Sequence, residues 1–521
     1  MAGVNLDDIA VAQYLGGDFG ADDAGDAEFP RDDGRYFLLN EEGGVALLSL
    51  NYFSRGYLSD YAVSKGLMET VPDFICHFKG GYGWFYFEKQ SFERAAERAF
   101  ARLLADASFV KDMILPETAA LGDRALALFR ANRRRGFRVA PTVAHRLLAE
   151  FETIIARQIS LNYIAVFDLK DQIYSRYLSK YLRSRLGDRD LKLSFVMEKL
   201  LAPEPLTYTQ QLRIELLKLA LAARRGAASQ AALKRIWQDW QWLNYGYRGP
   251  VLDQAYFRQS LAELAARSVK TLQEELAAMQ NYSRRTRAEK LRLYDRLGID
   301  QKHRDLIDAL SLLSYLKVYR KDTAFLLIYM THEILEKFNP GLRRDNFLYL
   351  TLGEAAKMID GRLDVPRREL AERERNCVFF SRSEKFIYGQ ASEAFIDKIA
   401  EKEEAGPAGG QLKLLEGMMA CLGQTGDWVY GQVKVVNTPA DMKKMAVGDI
   451  LVSVATTPDI LPAMKKAAAI VTDHGGITCH AAIVSRELNI PCLIATKYAT
   501  KVFKDGDAVI VCPRHGYIKF Q

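Results

Sequence analysis

Apolar positions along this chain change their period twice, and those changes mark out its organisation. Within 34–53, "GRYFLLN" and "GVALLSLNYF" read as alternating segments, and "GYGWFYFEK" (81–89) is a glycine-punctuated strand candidate. From about residue 91 the spacing shifts to three and four. "SFERAAERAFARLLADASFVKDMI" predicts an amphipathic helix, with Ser91, Glu93 and Arg94 suited to its start. The same periodicity runs through 142–185, 208–224, 253–296 and 301–338 with few prolines. A mainly helical region is therefore expected over 91–400, behind a small mixed α/β start at 1–90. "TAFLLIYMTHEIL" (323–335) is the most apolar run. It is too short and too soon interrupted to span a bilayer, so it predicts a buried helix.

The second change comes at "EKEEAGPAGGQ" (401–411), where charge gives way to Gly-Pro-Ala-Gly-Gly. This composition predicts a hinge linker over 401–412. Beyond it, strand-like runs occur at 431–436, 449–455, 468–472, 491–496, 508–512 and 517–520. Helical segments at 459–467 and 479–488 fall between them. A compact α/β domain is expected over 413–521, so the chain as a whole reads as multidomain.

Composition narrows the class of molecule. A hydrophobic share of 49% and a charged share of 26% are ordinary for a globular protein. Lysine and arginine total 72 against 65 acids, a mild basic excess that favours anionic ligands. The basic runs "RANRRRG" (130–136) and "NYSRRTRAEKLR" (281–292) sit in helical surroundings and read as solvated faces, so no nucleic-acid partner is expected. The first 28 residues are acidic, glycine-rich and lack a hydrophobic leader. Six cysteines without framework spacing then suggest reduced thiols in a cytoplasmic protein, with no membrane partner.

The densest chemistry lies in "TDHGGITCHAAIVSREL" (472–488). A buried strand precedes it and a helix follows, with "HGGIT" turning between. Glycines there let a ligand approach the backbone, and the helix start favours an anion. Thr478 is placed to cap that helix, with His480 in its first turn. Four readings stand side by side on the residues alone. The first is a capped helix start with an incidental histidine. The second is a zinc site from His474, Cys479, His480 and Cys492, although the spacing fits no usual frame. The third is Cys479 as a nucleophile, with no base evident beside it. The fourth is His480 as a nucleophile that receives a phosphoryl group.

The run from Gly448 to Cys512 strongly resembles the swivelling phosphohistidine domain of the phosphoenolpyruvate-utilising enzymes. That group includes pyruvate phosphate dikinase, phosphoenolpyruvate synthase and rifampicin phosphotransferase. The signature is carried here by Thr472, Asp473, Gly475, Gly476, Thr478, Cys479, His480, Ala481, Ala482, Ile483, Val484, Arg486, Glu487, Leu488, Ile490 and Pro491. Ser485 and Asn489 are mild departures. "TTPD" (456–459) and "KDGD" (504–507) also stand where the family has them. Ahead of the first strand, "GQTGDWVYG" (423–431) replaces the family's Ala-Ser-Pro-Gly segment. The resemblance implies that His480 is the phosphorylated residue. It also implies that Thr478, Gly475 and Gly476 position the phosphate, that Cys479 packs the turn, and that His474 lies on the surface.

A phosphohistidine needs a source and a destination. No segment reads as an ATP-grasp nucleotide domain or as the family's phosphoenolpyruvate-binding barrel. The resemblance therefore implies a separate ATP-grasp subunit, like that of pyruvate phosphate dikinase, which would bring ATP and Mg²⁺. No metal site is expected in this chain. The helical region resembles, more weakly, the substrate-binding part of rifampicin phosphotransferase, through "WQDWQWLNYGYRGPVLDQAYF" (237–257) and "DNFLYLTLGEAAKMIDG" (345–361). Trp242, Tyr245, Tyr247 and Arg248, with Arg320 of "KVYRKDTAF" (317–325), are candidates to bind a small-molecule phosphoryl acceptor. The alternative for the aromatics is core packing, and for the basic residues a solvated face. His303 and His332 are candidate bases for the acceptor. The leading expectation is a phosphotransferase component. A non-enzymatic phosphocarrier or regulator phosphorylated on His480 is the alternative, and a degenerate scaffold that only binds a partner is a third.

Overall fold

The computed structural model describes residues 36–43, 45–68, 71–168, 173–187, 193–227, 229–243, 245–339, 347–400, 414–423, 428–456, 460–476, 479–513 and 515–521. The acidic start, the expected hinge at 401–412, Thr478 and the last three residues of "TTPD" lie outside them. The chain divides into two compact units. One comprises Met1–Ala99, Arg138–Ser160 and His332–Gly406; the other comprises Phe100–Phe137, Leu161–Thr331 and Pro407–Gln521. The stretch 91–400 thus contributes to both.

The first unit is built on a five-stranded antiparallel sheet in the order β1-β3-β2-β4-β5. Its strands are β1 (Tyr36–Gly43), β2 (Phe74–Lys79), β3 (Tyr82–Glu88), β4 (Asn376–Phe380) and β5 (Lys385–Tyr388). The helix Gln390–Ile399 lays Ile396 and Ile399 against Ile75, Tyr86, Val378 and Ile387. Phe74 and Phe87 stack at 5.2 Å, and Phe37 meets Phe92 edge-on at 5.1 Å.

Two expectations fail here. "GVALLSLNYF" is not an alternating strand segment, because Leu47–Tyr57 is a helix buried along most of its length. A helix without a wet side shows no polar face to reveal its period. Likewise β4 and β5 interrupt the region expected to be helical. Both are short, and β4 is defined by pairing with β2 some 300 residues away, such as Cys76 with Phe379, while β5 pairs with β4; no local window contains the β2 partner.

The second unit combines helices with an eight-stranded mixed sheet. Its helices start where serine, threonine or aspartate precedes them. Thr207, Ser229, Asp253 and Ser268 each accept a backbone N–H from the first turn that follows. The long helix Gln301–Phe338 belongs to this unit up to Thr331 and contains the buried "TAFLLIYMTHEIL" run.

The sheet order is β6-β13-β12-β8-β9-β10-β11-β7. The strands are β6 (Leu414–Glu416), β7 (Met418–Cys421), β8 (Val429–Val435), β9 (Ile450–Ser453), β10 (Ala469–Thr472), β11 (Cys492–Ile494), β12 (Ala508–Cys512) and β13 (Tyr517–Phe520). Strands β8 to β11 run parallel and the others antiparallel. β9 and β10 are buried at every position, as parallel strands covered on both faces must be. Leu451, Ile470 and Ile494 point to one core with Ala481, Ala482 and Val484 of the helix His480–Leu488. Ile450, Val452, Val471 and Leu493 point to the other, with Phe503. Among the described residues, no helix is long and apolar enough to cross a membrane.

Candidate functional site

Strands β9 and β10 are parallel neighbours, so the loops leaving their carboxyl ends rise on the same side of the sheet. Open α/β sheets hold their ligands at such ends. The β9 loop delivers Thr456 and the β10 loop delivers His480. The two side chains meet, with His480 Nδ1 2.8 Å from Thr456 Oγ1.

The β10 loop is held from below. Asp473 is buried and accepts from the Thr500 amide at 3.1 Å and the Thr496 hydroxyl at 3.3 Å, and it also binds the Thr500 hydroxyl. Burial raises the Asp473 carboxyl above its ordinary range, against the pull of these Thr500 bonds. Gly475 then turns the chain at φ +128°, and a Cβ there would stand 2.7 Å from Cys479 Sγ. Gly476 is a case of close approach, since its Cβ would come 2.8 Å from Asp168 Oδ2 and 2.9 Å from the Asp168 carbonyl oxygen. These two glycines have no room for a side chain.

The helix cap differs from expectation. Cys479, the residue after Thr478, holds the N-cap position with an extended backbone, and its Sγ accepts from the Ala482 amide at 3.4 Å. The helix starts one residue later than a threonine cap requires. Burial raises the Cys479 thiol, against the pull of the Ala482 amide and Lys317, so it is kept from the thiolate a nucleophile needs. His474 is exposed. Among the described residues, no group of three His, Cys, Asp or Glu side chains can hold a metal.

The electrostatics single out His480. Its side chain is half-buried, and burial, then the charges of Lys321 and Lys317, lower its pKa to about 3, against an upward pull from the Thr456 main chain. The ring is therefore neutral near pH 7. With Nδ1 at Thr456, Nε2 is the nitrogen left for an electrophile. Lys317 and Lys321 lie one turn apart on the long helix. Lys317 is itself brought down to about 8 by burial, and Arg320 and Lys321 push the same way, while Cys479 and Asp168 oppose them. Asp168 is fully buried and raised to about 6 by burial. Its Oδ1 accepts from the Tyr174 and Ser175 amides at 2.9 and 3.1 Å, and its Oδ2 accepts from the Ser175 hydroxyl at 2.5 Å.

The remaining candidates separate into two groups. Tyr247 is buried against Phe325 at 5.1 Å, with Lys321 Nζ 5.7 Å from each ring. Arg320 is buried beside Lys317. These two thus lie beside Lys321 and Lys317, whose charges act on His480. Trp242 is buried with its Nε1 donating to the Asp239 carbonyl at 2.8 Å, and its ring meets Tyr208 edge-on at 5.5 Å. Tyr245 is buried against Tyr329 at 5.2 Å, and Arg248 is exposed.

His303 is occupied at both nitrogens, Nδ1 by Asp300 at 2.7 Å and Nε2 by the Tyr177 hydroxyl at 3.1 Å, and it stacks on Tyr181. His332 is fully buried. Sequence reading did not single out Asp168 or Lys317. The available signal for Lys317 was its place four residues ahead of Lys321 on a helix. Asp168 had none.

Residues 445–516 match the family description "PEP-utilising enzyme, mobile domain". Over 121 residues the chain is 51% identical to a probable phosphoenolpyruvate synthase of Archaeoglobus fulgidus, covering 23% of this chain and 15% of that protein. It is 45% identical over 126 residues to the phosphoenolpyruvate synthase of Pyrococcus furiosus (24% and 14%), and 49% identical over 86 residues to that of Escherichia coli (16% and 11%). The chain thus matches less than a fifth of the length of these relatives. Residues 445–516, with His480 opening the helix after β10, are thus similar to the mobile domain of the phosphoenolpyruvate-utilising enzymes.

Proposed function

We infer that this chain is a phosphotransferase component in which His480 is transiently phosphorylated and the C-terminal domain carries the phosphoryl group to a small-molecule acceptor at the helical face. The observation that carries this reading is a neutral imidazole, held at Nδ1 by Thr456 and within the field of Lys321 and Lys317. The relatives named phosphoenolpyruvate synthase support phosphoryl transfer as the chemistry.

In the first step the Nε2 lone pair attacks phosphorus, the N–P bond forms, and the P–O bond to the donor breaks with its electron pair leaving on oxygen. A neutral ring needs no prior deprotonation, and Thr456 keeps Nδ1 occupied so that one nitrogen reacts. In the second step an acceptor oxygen attacks, the N–P bond breaks and its electrons return to Nε2. The acceptor proton is lost to solvent. Both transition states spread negative charge over equatorial oxygens, which the two lysines and the helix N-terminus stabilise.

The donor in this reading is ATP on a separate ATP-grasp polypeptide. Mg²⁺ belongs with that partner in the same reading. Incubation with γ- and β-labelled ATP, Mg²⁺ and such a partner is expected to put acid-labile label on His480, and an acceptor is expected to discharge it. Efficient labelling by the chain alone would overturn the two-component arrangement. Label that never reaches a small molecule would favour a regulatory phosphocarrier.

A further inference from the structure

Gly475 and Gly476 are both closed to a side chain, but for different reasons. Gly475 takes a positive φ, and a Cβ on it would meet Cys479 of the same loop. The φ of Gly476 lies outside the left-handed region and does not call for glycine. The loop around it is held from inside its own domain. The Thr472 hydroxyl donates to the His474 carbonyl at 2.8 Å, the His474 amide to the Val454 carbonyl at 3.0 Å, and the Cys479 amide to the Gly476 carbonyl at 2.9 Å. The three atoms nearest to a Cβ at 476 all belong to Asp168, outside that domain. What closes this position to a side chain is a neighbour and not the turn.

The receiving side is rigid. The Asp168 carboxylate is pinned to the start of the helix Ile173–Leu186 by the Tyr174 and Ser175 amides and the Ser175 hydroxyl. Its carbonyl, 2.9 Å from the same Cβ, is main chain and cannot rotate away. A second contact lies at the other end of the strands. Leu422, just past the edge strand β7, donates its amide at 2.8 Å to Glu198 Oε2 on the helix Leu193–Leu201. β7 runs antiparallel to β11 and Cys421 stands opposite Cys492, so Leu422 lies at the amino ends of β11 and β10. Gly476 follows the carboxyl end of β10. The four residues of β10 alone put roughly 13 Å between the two contacts.

The C-terminal domain meets the helices as a finished body, because among the described residues its two cores draw every member from between Leu415 and Ile518. A bond from an amide to a carboxylate is exchanged for water on both sides when it opens, so such a contact can close and open at little net cost. We propose that Gly476 is a docking residue. Its missing side chain lets the His480 loop seat against Asp168, while Glu198 holds Leu422 at the far end, so the domain docks on the helices at two points and leaves them as one unit. The purpose of this seat rests on the carrier reading above. The assignment also moves Gly476 from the phosphate-positioning role implied by the family resemblance to a role in docking.

The test needs no phosphate. Amide-resolved hydrogen exchange of the full chain compares Leu422, bonded to Glu198, with Ile470, whose amide donates to the Pro491 carbonyl at 2.8 Å inside the domain. In the wild type Leu422 is expected to exchange the faster, because undocking frees it and leaves Ile470 closed. Gly476→Ala acts at the opposite end of the strands, beyond the range at which separate sites usually influence one another. It is nonetheless expected to speed Leu422 exchange on the order of tenfold or more, the effect of one methyl forced into a packed site. Ile470 should stay protected roughly a hundredfold better than Leu422, and Gly476→Val should carry Leu422 further in the same direction. Unchanged Leu422 exchange in Gly476→Ala overturns the proposal, since the two ends would then not move together. Loss of Ile470 protection to the level of Leu422 overturns it too, since the domain's own fold would then need the glycine. A chain that passes this test but is never labelled on His480 by ATP and a partner would sink the carrier reading and leave the seat standing. Labelling with Leu422 unmoved would sink the seat alone.

Discussion

The turn that carries His480 is made almost wholly of neighbours in sequence, whereas the face opposite is assembled from residues 168, 317, 320 and 321. The turn obeys local rules. A strand ends, Gly475 takes a positive φ, Cys479 caps, and the imidazole projects from the first turn of a helix. The helical face obeys only tertiary ones, because Asp168 and Lys317 come together through packing of separate segments. A reactive group can therefore be specified by a short motif, while the field that sets its protonation state comes from far along the chain.

The sharpest way to break this contrast is to remove the reactive atom. His480→Ala is expected to abolish acid-labile labelling, a loss on the order of 10³-fold or more, with the fold retained by circular dichroism. The opposite surface should matter at the transfer step. Lys317→Met is expected to slow acceptor-dependent discharge of phospho-His480 by about 10²-fold, as loss of one preorganised charge does, while initial labelling changes less. Equal slowing of both steps would mean that Lys317 serves the turn and not the transfer.

Where the two surfaces touch, Gly476→Ala drives a methyl into the Asp168 carboxylate and carbonyl, neither of which can yield freely. Thermal or denaturant unfolding should show a loss of about 1–3 kcal/mol. Titration sharpens the contrast further. His480 is lowered from 6.5 to about 3, so as pH falls from 6.5 towards 3 the unfolded chain gains a proton that the folded chain refuses. Stability should decline across that window, and His480→Gln should flatten the decline. Lys317 is lowered from 10.5 to about 8. Between those values the unfolded chain still holds a proton that the folded chain has lost, so stability should rise with pH there, and Lys317→Met should remove that rise.

Smallest of all should be Cys479→Ser. A hydroxyl caps a helix at least as well as a thiol, so stability should move by less than about 1 kcal/mol and labelling should persist. Loss of labelling would restore Cys479 as a participant.

The C-terminal strands were legible because each is a short apolar run bounded by turn residues, and β9, β10 and β12 fall inside the expected segments. β6 and β7 were not, since "LLE" and "MMAC" are too short to show a period and are fixed by pairing with β13 and β11. Trp242 and Tyr247 looked alike in an aromatic-rich segment. Only the fold separates Trp242, turned into Tyr208 and Trp240, from Tyr247, which lies under Lys321. "KVYRK" showed basic residues on a helix but not what they face. Solvent and an imidazole are indistinguishable to a periodicity.

By itself the sequence determined the alternation of strand and helix from β8 onward and the glycines of the β10 loop, because backbone conformation and helix ends are set by residues within a few positions of one another; it pointed to His480 through the motif that surrounds it. Tertiary structure alone decided that Cys479 is the cap, that Asp168 closes on Gly476 and that burial, with Lys321 and Lys317, holds the imidazole neutral. Charge acts through space and desolvation depends on everything packed around a group, so neither can be read from neighbours along the chain.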